Sequence, residues 1–247
     1  MRKYQVYLEI NNKGYCMAHV RELPGCFVWD DTKNKVLKKL PEAIKDYLIW
    51  MKKNGENNLI IPKKIEFEIV ETQKGTCPVI SGNKAALFSY DLIPPANSFI
   101  KRCLKWMRYN RKELLNRVKK LSDEVLDWKP NKDKRSIRET LNHIANAEWW
   151  YLSRMKDEKE LETLPYKVPS EKIFEKLEEV RKLAIKILKN LSKEDRNRVN
   201  IPKRYVQYKG EKWTFGKVLR RFLEHEREHI GTIDKTLKLY NLSLKKG

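Results

Sequence analysis

The chain has few cysteines, far fewer acidic than basic residues, and no long apolar run. Its four cysteines form no CxxC pair, so their spacing suits neither a zinc ribbon nor a redox motif. No segment approaches the ~18 consecutive apolar residues of a membrane helix, and the first residues alternate like a strand rather than a signal peptide. We therefore expect a cytoplasmic protein with no membrane partner and with reduced, mostly buried cysteines.

Acidic residues are strongly outnumbered by basic ones. The 247 residues include 54 Lys and Arg against 33 Asp and Glu, which gives a formal net charge of +21. A positive field of this size favours nucleic acids and other polyanions but does not specify a site. The basic residues between 101 and 120, Arg111 among them, fall on several faces of one predicted helix. We therefore expect a solvated basic surface that binds nucleic acid at most non-specifically.

The first third of the chain shows the alternation of a small sheet. Residues 4–10 and 15–21 alternate with period two, and the Asn-Asn-Lys-Gly turn between them is typical of a hairpin. A third strand is predicted at 26–29, followed by a helix capped by Thr32 and a last strand through residues 65–69. The order β-β-β-α-β predicts one helix packed on one face of a sheet.

This segment also carries a family pattern. YQVYLEINNKGYCMAHVRELPGCFVWDDTKNKVLKKLPEAIKDYL, with its GY hairpin, ELPGC turn and EAI helix core, resembles the HicB-like antitoxin domain. The resemblance covers about residues 1–70 and implies a partial RNase H-like fold that binds a small RNA-cleaving toxin. Full HicB antitoxins usually add a C-terminal DNA-binding module, and none is legible here. This difference favours a borrowed module that binds a protein, an RNA or a small ligand.

The remaining sequence predicts a linker and a helical domain. We assign residues 1–75 to the α+β domain, 76–96 to a linker and 97–247 to an all-α, up-and-down four-helix bundle. The linker contains Gly82, and its apolar residues, such as Phe88, indicate that it packs on a domain.

Capping signals mark the predicted helices of the bundle. Ser136 with Glu139 forms a capping box, Ser170 precedes the third helix and Thr214 caps the fourth. The connection 192–213 is long enough to cross the bundle. The predicted helices are 97–121, 136–156, 171–191 and 214–241, and their predicted core includes Leu104, Leu141, Ile144, Leu177, Leu183, Leu219, Phe222 and Ile233.

Three of the four histidines predict one metal site. His225 and His229 are four residues apart on the last predicted helix, so their side chains share a face, and His143 lies on the second helix. Three imidazole ligands leave a position open for water or substrate, as in catalytic zinc sites. Zn²⁺, Ni²⁺ and Fe²⁺ all suit this ligand type. His19 stands alone on a strand and is not expected to bind metal.

The segments around these histidines resemble a known superfamily. ETLNHIANAEWWYLSR and WTFGKVLRRFLEHEREHIGTIDKTL are similar to the DinB/YfiT-like metalloproteins, which are four-helix bundles. Their ligands are one His from the second helix and an HxxxH pair from the fourth, which implies His143, His225 and His229 here. Characterised relatives include thiol-dependent S-transferases and isomerases, and others have no known activity. The resemblance implies a small-molecule substrate, with a thiol as one candidate, and a homodimer.

The sequence HEREH also matches HExxH of the zinc peptidases, in which Glu226 would be the general base. We rank this reading lower. Thr232 stands where a metzincin needs glycine, and no glutamate follows Glu228 to serve as a third ligand. Glu226 is then expected to be solvated or paired with an arginine.

Two further residues are weaker candidates for roles around the metal. Glu148 lies five residues after His143 and faces away from it, but it is a candidate hydrogen-bond partner for an imidazole on another helix. Trp149 either lines a pocket or belongs to the bundle core, as do Trp150, Trp213 and Phe222.

The leading hypothesis is a metal-dependent enzyme that acts on a small substrate by thiol S-transfer or metal-hydroxide hydrolysis. The competing hypothesis is a binding or regulatory protein, in which the HicB-like module engages a protein or RNA and the metal is structural.

Overall fold

The computed structural model describes residues 3–78, 84–155 and 172–245. Among these residues, no helix combines the length and the apolar character needed to cross a lipid bilayer. Four predicted features lie outside the described residues: Gly82, Ser170, the end of the second bundle helix at 156 and the start of the third at 171.

The chain divides into two compact units. The first comprises Met1–Pro94 together with Val206–Lys212, and the second comprises Pro95–Tyr205 and Trp213–Gly247. A short stretch of the long connection in the bundle is thus grouped with the first unit.

The first unit is a four-stranded sheet with one helix, as the β-β-β-α-β pattern predicts. The sheet has the order β3-β2-β1-β4, with β1 antiparallel to β2 and parallel to β4. Gly14 has φ +90° in the turn after β1, a conformation that favours glycine. The elements are β1 (Tyr4–Ile10), β2 (Cys16–Val20), β3 (Phe27–Asp30), α1 (Lys33–Lys53) and β4 (Phe67–Lys74).

The two central strands are buried on both faces. Every residue of β2 is buried, and α1 packs against β2 and β3. The opposite side of β1 is covered by a short 3₁₀ segment and the residues before it, since Phe88 lies against Tyr7 at a ring-centroid distance of 5.4 Å. Residues predicted as a packed linker therefore provide apolar cover for the sheet.

A buried carboxylate fastens this covering segment to the sheet. Glu9 accepts hydrogen bonds from the backbone N–H groups of Cys77, at 3.0 Å, and Ala86, at 2.8 Å. Its other oxygen lies 2.8 Å from His19 Nε2. The fourth histidine is therefore the partner of a buried carboxylate, which agrees with its expected lack of a metal role.

The second unit contains the predicted four-helix bundle. Ser136 Oγ accepts from the N–H of Glu139 at 3.1 Å, and the Glu139 carboxylate accepts from the N–H of Ser136 at 2.9 Å, which confirms the capping box. Thr214 caps the last helix through Lys217, at 3.2 Å. The long helices are α2 (Asn97–Val118), α4 (Ile137–Leu152), α5 (Ile173–Asn190) and α7 (Phe215–Ser243), with the short helices α3 (Asp123–Asp127) and α6 (Lys193–Asn197) between them.

The helices are not arranged around the bundle in chain order. The helix α7 packs against both α2 and α4, and α4 packs against α5. The helix α2 meets α5 through Arg181, whose Nη1 donates to the carbonyl of Met107 at 2.6 Å. The last helix thus lies between the first and second long helices, which a simple up-and-down order would not produce. The long connection before α7 allows this placement because it can cross the end of the bundle.

The bundle core agrees with the predicted residues except at one position. Leu183 is only half-buried. The residues of this part of α5 that face the interior are Val180 and Ala184. The buried core residues of the prediction are Leu104, Leu141, Ile144, Leu177, Leu219, Phe222 and Ile233.

We expect the substitution Phe88→Ala to loosen the sheet of the first unit. It removes a fully buried aromatic ring and should lower the local free energy of unfolding by about 3–5 kcal/mol. Hydrogen exchange of the full chain, localised by mass spectrometry, should show faster exchange across β1 and β2. Leu92→Ala is the matched control, because Leu92 is 52% exposed in the same segment. Equal exchange in the two variants would contradict the covering role of Phe88.

Candidate metal centre

The three predicted ligands meet where α4 packs against α7. His225 and His229 lie one turn apart on α7, and His143 lies on α4. The Nε2 atom of His225 is 3.1 Å from Nε2 of His143 and 3.1 Å from Nε2 of His229. One ligand atom from each residue falls within 4.8 Å of the others. The structure thus brings the predicted ligands together.

Hydrogen bonding alone does not account for this convergence. The Nε2 atom of a neutral imidazole either carries one proton or offers one lone pair. His225 Nε2 therefore cannot make both short contacts as hydrogen bonds. In contrast, two nitrogens bound to one ion at about 2.1 Å lie about 3.0–3.4 Å apart for bond angles between 90° and the tetrahedral value. The observed separations of 3.1 Å fit two ligands of a single transition-metal ion.

The electrostatic environment keeps the three rings neutral, which is the form that binds a metal. Burial, with a smaller contribution from the positive charge of Arg135, lowers the pKa of His143 to about 4. Burial, followed by the neighbouring rings and cations, lowers the pKa of His229 to about 3 and that of His225 well below its usual value. The ligands are therefore deprotonated at neutral pH.

The ring of His229 is oriented by packing. Its Nδ1 atom is buried and has no hydrogen-bond partner within the described part of the chain. The nearest aromatic side chain of the core is Tyr151, whose ring centroid lies 5.8 Å from that of His225. Sequence reasoning missed Tyr151, although its place eight residues after His143 is about two helical turns away and on the same side of α4.

A cleft of about 440 Å³ reaches the site from the side of α4. His143 lines this cleft together with Asn142 and Asn146 of the same helix, and the basic loop 129–135 forms the opposite wall. His143 is half-buried, whereas His225 and His229 are buried, so His143 is the ligand nearest to solvent. The described residues supply three protein ligands, which is one fewer than a closed tetrahedral site needs, and the cleft lies beside the third of them, His143.

Next to the histidines, the interior of the bundle contains four buried charged residues that form a closed cluster. We call Arg111, Glu148, Arg181 and Glu226 the Arg–Glu cluster; one residue comes from each of α2, α4, α5 and α7. Glu226 accepts from Arg111 Nε at 2.7 Å and from Arg181 Nη2 at 2.8 Å. Glu148 accepts from Nε of Arg181 at 3.1 Å and also bonds Arg111. Each charge in the cluster therefore has opposite charges on both sides.

The cluster corrects the prediction for Arg111 and shows the partners of Glu226 and Glu148. Arg111 is only 8% exposed and does not belong to a solvated surface, because its charge is matched inside the bundle. Glu226 is paired with arginine, as one of the two alternatives proposed, and is not solvated. Glu148 contacts the two arginines and, in the contacts described, does not serve as a partner for an imidazole. Both arginines lie on the apolar face of their helix, Arg111 four residues after Met107 and Arg181 four residues after Leu177, and they were missed because a charged side chain is expected at the surface.

The same contacts argue against the peptidase reading of HEREH. Burial alone would raise the pKa of Glu226, but the charges of Arg181 and Arg111 outweigh it and hold the pKa below its usual value. Both carboxylate oxygens are engaged by guanidinium groups. A general base needs a free oxygen directed at the reacting water. Glu226 is therefore a structural residue between two metal ligands.

Most of the candidate pocket aromatics belong to the core. Trp213 and Phe222 are 2% and 1% exposed, and Tyr151 packs against both. Trp149 is half-buried and meets Tyr205 edge to face at 5.4 Å; it does not line the cleft at His143.

We expect Glu226→Gln to destabilise the bundle without removing the metal ligands. The substitution keeps the shape of the side chain but leaves two buried guanidinium groups facing one carboxylate. It should lower the free energy of unfolding by about 3–5 kcal/mol, measured by urea denaturation. The folded variant should still bind one equivalent of Zn²⁺.

The matched control is Glu178→Gln, which removes a carboxylate paired with Lys182 at 2.7 Å on the exposed face of α5. Exposed pairs of this kind contribute about 1 kcal/mol or less. Equal losses of stability in the two variants would argue against a structural role for the buried cluster.

Comparisons with known proteins find relatives of both the helical bundle and the N-terminal domain. The sequence model of the DinB superfamily matches residues 107–233, just over half of the chain, including all three ligands. The N-terminal part is 39% identical over 54 residues to UPF0150 protein Ta0767 of Thermoplasma acidophilum. This match covers 22% of this chain and 78% of that relative. Among solved structures, the chain is similar to YfiT from Bacillus subtilis, described as a probable metal-dependent hydrolase with an unusual four-helix bundle topology. That match covers 60% of this chain and 90% of YfiT, with 15% identity and a TM-score of 0.45.

The chain therefore belongs to the DinB superfamily and carries a HicB-like domain ahead of its metal-site bundle.

Proposed function

We propose that the protein is a metal-dependent enzyme that acts on a small substrate at the three-histidine centre. The observation that carries the proposal is the convergence of three imidazole nitrogens beside a cleft that one of the three histidines, His143, lines. A purely structural zinc site is normally closed by four protein ligands, whereas a catalytic site keeps a position open. Three ligands and an adjacent cleft correspond to the second type.

The chain's own residues would position the ion and the substrate. His143, His225 and His229 would hold the ion through Nε2, with their neutral state secured by burial. A bound divalent ion would supply Lewis acidity, either to make water a nucleophile for hydrolysis or to activate a substrate thiol for transfer. Zn²⁺, Ni²⁺ and Fe²⁺ all match the donor set.

The Arg–Glu cluster would keep the ligands in place during the reaction. Glu226 lies between the two ligands of α7, and Glu148 lies on the helix of the third. Because both are bonded to the same arginines, α4 and α7 cannot slide against each other without breaking buried ion pairs. The site is therefore rigid before any substrate arrives.

We expect the purified wild-type chain, loaded with Zn²⁺ and desalted, to retain one equivalent of metal by elemental mass spectrometry. The double substitution His225→Ala/His229→Ala should retain little, because a single remaining imidazole is a weak ligand. His19→Gln is the matched control, since it changes the fourth histidine, which is paired with Glu9. Retention of metal by the double variant would contradict the assigned ligands.

Activity and structural support by the metal can be separated in the same samples. We expect wild-type protein to conjugate a thiol to 1-chloro-2,4-dinitrobenzene or to hydrolyse p-nitrophenyl acetate, and to lose the activity on chelation with a small change in melting temperature. Loss of folding on chelation without metal-dependent turnover would instead indicate a structural metal.

A further inference from the structure

The cleft at His143 has an unusual distribution of charge. One wall is the face of α4 that presents Glu139, Asn142, His143 and Asn146, and the other is the loop 129–135 before that helix. The loop contributes four cations to the lining and one acid, Asp133. The cleft is therefore positive on the side from which a substrate would enter.

Three of these cations are not neutralised within the part of the chain that the structure describes. Lys129 is paired with Glu139 at 2.6 Å. In contrast, Lys132, Lys134 and Arg135 make no ion pair with a described residue and are exposed. Asp133 and Glu139 offset only part of the charge of the four cations, and a surface with an excess of positive charge attracts ligands of the opposite sign.

The positive charge of Arg135 acts on the metal centre. Its field reaches all three imidazoles. An unpaired guanidinium near a dication raises the free energy of both, because like charges repel. An anionic group bound between them would remove this repulsion and would be attracted from both sides.

A polar atom inside the cleft also lacks a partner. Asn146 lies one turn after His143 on the same face of α4, and its Oδ1 is buried without a hydrogen-bond partner among the described residues. Leaving a buried amide oxygen unpaired is unfavourable, so a ligand that donates a hydrogen bond there would be stabilised.

We propose that this cleft selects an anionic substrate, with a carboxylate or similar oxyanion on Arg135 and the reacting group directed at the metal beside His143. Lys132 and Lys134 strengthen the attraction, and Asn146 accepts a hydrogen bond from the bound molecule. The planar guanidinium of Arg135 suits such a group, because two of its N–H groups can bond both oxygens of a carboxylate. This inference deepens the proposed function and rests on it.

The test uses the full chain loaded with Co²⁺ and three short thiols whose tails differ in charge. The probes are 3-mercaptopropionate, 3-mercaptopropan-1-ol and cysteamine, which carry an anionic, a neutral and a cationic tail. Binding is followed by the absorbance of the thiolate–cobalt bond. We expect wild-type protein to bind the anionic thiol about tenfold more tightly than the neutral one, and cysteamine most weakly. Added salt should reduce the preference.

The variant Arg135→Gln should lose most of this preference while its affinity for the neutral thiol changes little. Since each thiol is compared between wild type and variant, differences in thiol acidity cancel. Arg108→Gln is the control, because it removes an exposed cation of α2 that does not line the cleft. The double variant Lys132→Gln/Lys134→Gln should give an intermediate loss.

Two outcomes would overturn the inference, and they differ. A cobalt-loaded protein that binds the anionic and neutral thiols equally, or in which Arg135→Gln behaves like Arg108→Gln, would overturn the anion-selective cleft alone. A wild-type chain that does not load cobalt would overturn the metal site and, with it, this inference.

Discussion

The burial of two arginines and two glutamates inside the bundle is the constraint on which the metal centre depends. Removing four charges from water costs several kcal/mol for each ion, and the cost is offset only if every charge finds its partners in good geometry. The four residues come from four different helices. The helices must therefore pack in one register, since a shift of one turn would leave an unpaired buried charge.

That register also sets the positions of the metal ligands. Glu226 immediately follows His225, and successive residues of a helix point about 100° apart. One face of α7 thus carries His225 and His229, and the adjacent face carries Glu226, which contacts the arginines. The same relation holds on α4, where His143 and Glu148 point in different directions. The ion-pair cluster and the metal centre therefore share the same two helices, and fixing one aligns the other.

In this arrangement the glutamate of the HEREH motif has a different role from the one that the motif indicates in zinc peptidases. In a zinc peptidase the glutamate acts on water, whereas here two guanidinium groups occupy both of its oxygens. The chemistry at the centre must instead come from the open coordination position and from groups that line the cleft. Those groups are two amides, four cations and two carboxylates, and their excess of positive charge suits the binding of a polar, negatively charged molecule.

The sequence by itself determined the two domains' element types and the capping box, and it predicted the three ligands that the structure brings together. Each of these depends on local spacing: period two for the strands, Ser136 with Glu139 for a cap, and a four-residue interval for His225 and His229. Only the tertiary structure decided the order of helices around the bundle, the burial of Arg111 and the partners of Glu148. Those outcomes depend on contacts between residues far apart in the chain. A charged side chain has the same local pattern whether it faces water or a partner from another helix, so its place is set only when the helices pack.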